Sequence, residues 1–147
     1  MENINWLSLV IATLIPMIMG FIWYHKAVFG KAWMAETGMT EEKAAQGNMA
    51  VIFGTSLVMA FLISFFLLLN CNGPGQEGQY DTFKHGMGHG LIVGLFVVMP
   101  TFVTNGLFEQ KSWKLIFINV FYWVACFILM GGVVDSMNHW TGAIGGM

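Results

Sequence analysis

Residues 49–69, MAVIFGTSLVMAFLISFFLLL, contain no Asp, Glu, Lys or Arg, and the charge-free stretch around them runs through 44–76. A helix rises about 1.5 Å per residue and the hydrocarbon of a bilayer is about 30 Å thick, so about 20 apolar residues reach from one face to the other. This segment is long enough, and it lacks the polar face that a helix on the surface of a soluble domain presents. It reads as a membrane-spanning helix, and the fold follows from how many others the chain holds.

There are three more charge-free runs, 3–24, 85–108 and 115–134. Helices are therefore expected at about 6–24, 49–69, 86–107 and 115–134. Composition agrees: 56% of the residues are apolar and 10% charged, too few to coat a soluble domain of 147 residues. The expected fold is an all-α integral membrane protein, a single domain over 1–147 with four transmembrane helices in an antiparallel bundle. Six lysines, no arginine and a net charge of -2 offer no basic patch, which excludes nucleic acid as a partner and leaves the lipid bilayer as the first one.

The first run is not expected to be a cleaved signal peptide. No Lys or Arg precedes it, and it ends in Trp23-Tyr24-His25-Lys26 rather than in small residues. Lys26, Lys31 and Lys43 fall in loop one (25–48) and Lys111 and Lys114 in loop three (109–114), leaving only Lys84 for the other side. Positive charge collects on the cytoplasmic side, so loops one and three are expected there, with both termini non-cytoplasmic.

Loop one carries structure of its own. Phe29 and Trp33 share a face of a short helix that can lie at the interface, with Lys26 and Lys31 reaching headgroups. Gly38 is placed to end that helix. Thr40 is placed to cap another, with Glu41 and Glu42 in its first turn, so the second span is expected to begin near Glu41. In loop two (70–85), Asn72-Gly73-Pro74-Gly75 reads as a turn, and Cys71 as a loop residue at a different depth from Cys126, with no disulfide between them. Pro16 and Pro100 sit within spans one and three, each followed by a Phe, Lys, Trp pattern. Interfacial aromatic belts account for this echo as well as an internal duplication does.

Lipid tails provide no hydrophobic drive for helix association, so small residues mark close packing. Gly86, Gly90 and Gly94 recur every fourth residue on span three, with Thr101 and Thr104 expected to extend the same face, against a helix of this protomer or of a homo-oligomer or partner membrane protein. Asn119, Tyr122 and Cys126 share a face of span four and are expected to point inward.

Two groups of residues could carry chemistry. Toward the outer side, Asp81, His85 and His89 fall at i, i+4, i+8, and Asp135 and His139 repeat that spacing after span four. Imidazoles one turn apart with carboxylates nearby are ligands for zinc or a similar divalent metal, possible here if the outer ends of spans three and four meet. Interfacial histidines with no ligand are the plainer alternative. Toward the inner side stand Trp23, Tyr24, Asn105, Glu109, Asn119 and Tyr122. Asn105 and Asn119 are expected at similar depth and joined by an interhelical hydrogen bond, or else to line a polar pocket open to the cytoplasm. Glu109 can pair with Lys111.

Nothing marks a covalent enzyme. Cys126 has no cation near it in sequence to activate it, and the glycines of span three lack the Lys-Ser/Thr of a phosphate loop. No charged residue stands at mid-depth in any span, against an ion path through one protomer. The expected role is a structural or accessory component or a minor transporter; the alternative is a metal-binding membrane protein whose outer His/Asp cluster could serve hydrolysis.

Asn5-Trp6, Gly20-Phe21-Ile22-Trp23-Tyr24, Phe29-Gly30-Lys31-Ala32-Trp33-Met34, Gly47-Asn48-Met49, Asn105-Gly106-Leu107-Phe108-Glu109 and Ile118-Asn119 together resemble the bacterial membrane family catalogued as domain of unknown function 1761. The resemblance spans nearly the whole chain. It implies a four-helix protein of the bacterial cytoplasmic (inner) membrane with no assigned activity, and the histidines of span three lie outside its pattern.

Overall fold

A computed structural model describes residues 4–71 and 81–139. The described residues are helical and contain no strand. Four helices are long and apolar enough to cross a membrane: α1 (Trp6–Trp23), α4 (Met49–Cys71), α5 (Phe83–Phe108) and α6 (Trp113–Ser136). They run antiparallel in sequence order, with α2 (Gly30–Thr37) and α3 (Glu41–Ala45) between α1 and α4. The turn expected at Asn72-Gly73-Pro74-Gly75 lies outside the described residues.

Local signals set the ends. Asn5 caps α1 by accepting from Leu7 N at 3.1 Å, and Ser112 caps α6 by accepting from Leu115 N at 3.1 Å. Gly38 ends α2 with φ +64°, a left-handed value that suits glycine. Thr40 caps α3 as expected, yet α3 does not lead into the second span. It stops at Ala45, and Asn48 starts a new helix by accepting from Val51 N at 3.2 Å. Cys71 is likewise not in a loop. Helix α4 continues through Asn70 to Cys71, which is 1% exposed, and both cysteines are free thiols.

Helix α6 is the axis of the bundle. Over its membrane window 56% of residues are buried by the rest of the protein, against 22% for each of the other three spans. Helix α5 packs on it through glycines. A Cβ on Gly86 would lie 2.1 Å from the Gly131 carbonyl oxygen, and one on Gly90 2.1 Å from that of Phe127, so the backbones approach as only glycine permits. The glycine face therefore packs inside the protomer.

Thr101 and Thr104 do not continue that face; both are exposed. The reason is a wide π turn at Gly94–Val98, just before Pro100, in which Met99 N reaches back to Gly94 O. Proline removes a hydrogen bond and crowds the preceding turn, and a π turn is one way a helix absorbs this. In a uniform α-helix each four-residue step drifts about 40°. The extra residue in the turn cancels that drift, so the buried line runs Gly86, Gly90, Gly94, Val98, Gly106.

The lysine-rich end is closed by α2. Phe29 stacks at 4.7 Å on Trp23 and Trp33 meets Tyr24 edge-on at 5.5 Å. Glu36 accepts from Ser112 Oγ at 2.5 Å, with Lys114 Nζ 3.5 Å away, tying α2 to the start of α6. At the opposite end Asn138 accepts from Asn5 N at 2.8 Å and donates to Ser8 Oγ at 2.7 Å, joining α1 to the chain just past α6.

Candidate functional site

Thr82, extended at φ −129° and accepting from His85 N at 3.2 Å, fixes the start of α5 after Asp81. Asp81 is thus not stacked with the two histidines on a helix face. Its Oδ2 stands 3.7 Å from Nδ1 of His139, past the end of α6. Asp135 is inside α6 rather than beyond it, because the helix runs to Ser136.

The glycine contact between α5 and α6 brings His85 to Asp135, Nδ1 to Oδ2 at 2.8 Å. His85 and His89, one turn apart, meet with ring centroids at 4.5 Å and Nε2 to Nε2 at 3.2 Å. His89 Nδ1 then reaches Asn70 Oδ1, on the last turn of α4, at 2.7 Å. The result is a continuous chain, Asp135, His85, His89, Asn70, across three spans. Sequence reasoning missed Asn70. Its one signal is an amide closing an apolar run, which also describes an ordinary helix end.

This geometry restricts where protons can be. Each Nδ1 lies within hydrogen-bond distance of an oxygen, Asp135 Oδ2 or Asn70 Oδ1, and carries hydrogen in the tautomer in which that oxygen accepts. With both rings neutral, two Nε2 lone pairs would oppose each other at 3.2 Å. One added proton satisfies the chain, whether on the His85 imidazole or on the Asp135 carboxyl, with His85 Nε2 donating to His89, and in either place it offsets the carboxylate's charge. Asp135 needs such an offset. It is 0% exposed, and its Oδ1 has no hydrogen-bond partner among the described residues.

A metal ion is the other cation that suits the gap. Nitrogen ligands about 2.0–2.1 Å from a tetrahedral zinc lie about 3.3 Å from each other, close to the 3.2 Å found. Acceptors on both Nδ1 atoms would hold the rings as outer partners of metal-bound histidines do. Among the described residues, however, no three His, Cys, Asp or Glu are grouped so as to hold a metal.

Of the inner group, the structure gathers four. Trp23 Nε1 donates to Ile118 O at 3.1 Å, Tyr24 Oη to Asn119 Oδ1 at 3.0 Å, and Tyr122 Oη to Pro16 O at 2.6 Å. Asn119 therefore bonds Tyr24 of α1 rather than Asn105. Asn105 is exposed, one residue off the buried line that passes through Gly106, and exposed Glu109 forms an ion pair with Lys111. The cluster is hydrogen-bonded internally and aromatic: the Tyr24 and Tyr122 rings lie 5.1 Å apart.

These features define a polytopic four-helix membrane protein with a histidine–carboxylate chain at one end and an aromatic cluster toward the other. The chain belongs to the family described as Protein of unknown function (DUF1761), whose profile matches residues 7–134. It is also similar to a phospho-N-acetylmuramoyl-pentapeptide-transferase of Kocuria rhizophila, 26% identical over 145 residues, or 95% of this chain and 36% of that protein. The chain thus spans about a third of that relative's length. No solved structure matches it.

Proposed function

We propose that this protein is a structural or accessory component of the bacterial inner membrane, one domain with both termini outside, in which a single proton held between His85 and His89 ties the outer ends of α4, α5 and α6 together. The distribution of lysines supports the orientation, with five of the six at the ends closed by α2 and by the α5–α6 turn. The observation that carries the proton reading is the 3.2 Å contact between two Nε2 atoms whose partner nitrogens both face oxygen acceptors.

The same contact favours a second reading, in which a zinc-class divalent ion replaces the proton, Asp135 stays the outer partner of His85, and Asp81 or His139 would have to complete the ligands. Elemental analysis of purified protein, alongside a His85→Ala/His89→Ala double variant, separates the two. The proton reading expects no stoichiometric metal in either and ring-nitrogen resonances with both Nδ1 protonated and one proton shared between the Nε2 atoms. Stoichiometric zinc lost in the double variant establishes the metal instead. Rings protonated separately on Nε2 would defeat both.

A further inference from the structure

Between α1, α4 and α6, toward the lysine-rich end, lies a cavity of about 430 Å³. It lies apart from the histidine chain, and the proposed proton site does not use it. We propose that this cavity binds one fatty acyl chain, with the acceptor oxygen of its carboxyl or ester group at the Tyr24–Trp33 end.

Shape is the first support. The lining follows α1 from Thr13 to Tyr24, about 16 Å at 1.5 Å per residue. Dividing the volume by that length leaves a cross-section on the order of 25 Å², suited to a single hydrocarbon chain at carbon contact distances of about 4 Å. The volume also lies within the range of about 300–1,000 Å³ typical of ligand pockets.

Lining chemistry is the second. Leu57, Ala60 and Ile52 form the α4 wall, and Phe21 and Phe53 line the cavity while also being exposed on the membrane-facing surface, marking where a chain would enter between α1 and α4. The hydroxyls along the way are already committed: Ser56 to Ile52 O at 2.7 Å and Thr13 to Leu9 O at 2.7 Å. A polar solute would find little to bond there. The exceptions are Trp33 and Trp123, which line the cavity and donate their indole N–H to no described residue, unlike Trp23. Both indoles are half-buried, and a carboxyl or ester oxygen in the cavity would give their N–H groups an acceptor. Trp33 sits on α2, in the lysine-bearing loop, where the polar end of an amphiphile belongs.

Small residues hold the space open. The nearest atom a Cβ on Gly20 would meet is Tyr122 Oη, at 3.5 Å, so a larger side chain there enters the cavity without striking backbone. The test uses purified, delipidated full-length protein and native mass spectrometry, titrating oleic acid and, separately, phosphatidylglycerol. Saturable one-to-one binding is expected, weakened about tenfold or more in Gly20→Leu and in Ser56→Leu, with circular dichroism and elution volume unchanged. Ser56 is on an exposed helix face, so that variant decides the matter if Gly20→Leu folds poorly. Binding of oleic acid alone identifies a free fatty acid as the source, and binding of phosphatidylglycerol a bilayer lipid. Only non-saturating adducts, or full affinity in the variants, would overturn the proposal.

Discussion

Asp135 is the residue on which the histidine end turns. A carboxylate without solvent, bonded through one oxygen to His85, is stabilised only while that imidazole stays beside it. Removing one member of a buried charged pair typically costs about 3–5 kcal/mol, whereas replacing both with apolar groups is often neutral. His85→Ala is therefore expected to lower the thermal midpoint in detergent sharply, and His85→Ala/Asp135→Leu to recover most of the loss. Equal midpoints for the wild type and His85→Ala would show that the pair carries no such energy. Residue identity made this partly legible. The histidines, Asp81 and Asp135 stood out as polar residues at span ends, yet helical spacing alone joined Asp81 to His85. Thr82 prevents that by starting the helix one residue too late, and the carboxylate that reaches His85 comes instead from α6.

At the scale of elements, apolar runs located all four spans to within three residues at each end, because their length is dictated by bilayer thickness. What they could not locate was helix phase. The π turn before Pro100 rotates everything after it, so Gly106 is buried where the uniform spacing pointed to Thr101 and Thr104. Two outcomes follow for α5. Gly90→Ala forces a methyl against the Phe127 carbonyl and is expected to cost about 1–3 kcal/mol or more through backbone displacement, while Thr101→Ala, on an exposed face, stays within about 0.5 kcal/mol; denaturant titrations of the two compare them directly. Helix α2 depends on a different contact. The Ser112 hydroxyl donated to Glu36, with the Lys114 ammonium beside it, holds this carboxyl below the usual carboxylate range. A lowered folded-state pKa stabilises the contact at neutral pH and is lost as pH falls through that lowered value. Amide protection across 30–37, taken relative to intrinsic exchange at each pH, is thus expected to fall only as pH drops through that lowered value, and to lose this pH dependence in Glu36→Gln.

Across the whole molecule, the two ends differ in what holds them. The lysine-rich end is locked by aromatic stacking and the Glu36 contact, the other by side-chain amides and the histidine chain. That second set was hidden in the sequence, since Asn5 meets Asn138 from the far end of the chain and Asn70 meets His89 across two helices, pairings that no local spacing announces. An asymmetry of this kind has a use only if the ends face different media, which makes orientation the decisive global property. Impermeant maleimide on intact cells reads it out. The native thiols at Cys71 and Cys126 are buried and should stay silent, so single cysteines report alone. His139→Cys is expected to label from outside, and Lys43→Cys and Gln110→Cys only after lysis. Labelling of Lys43→Cys and Gln110→Cys from outside, with His139→Cys protected, would invert the bundle and place the imidazole pair on the cytoplasmic side.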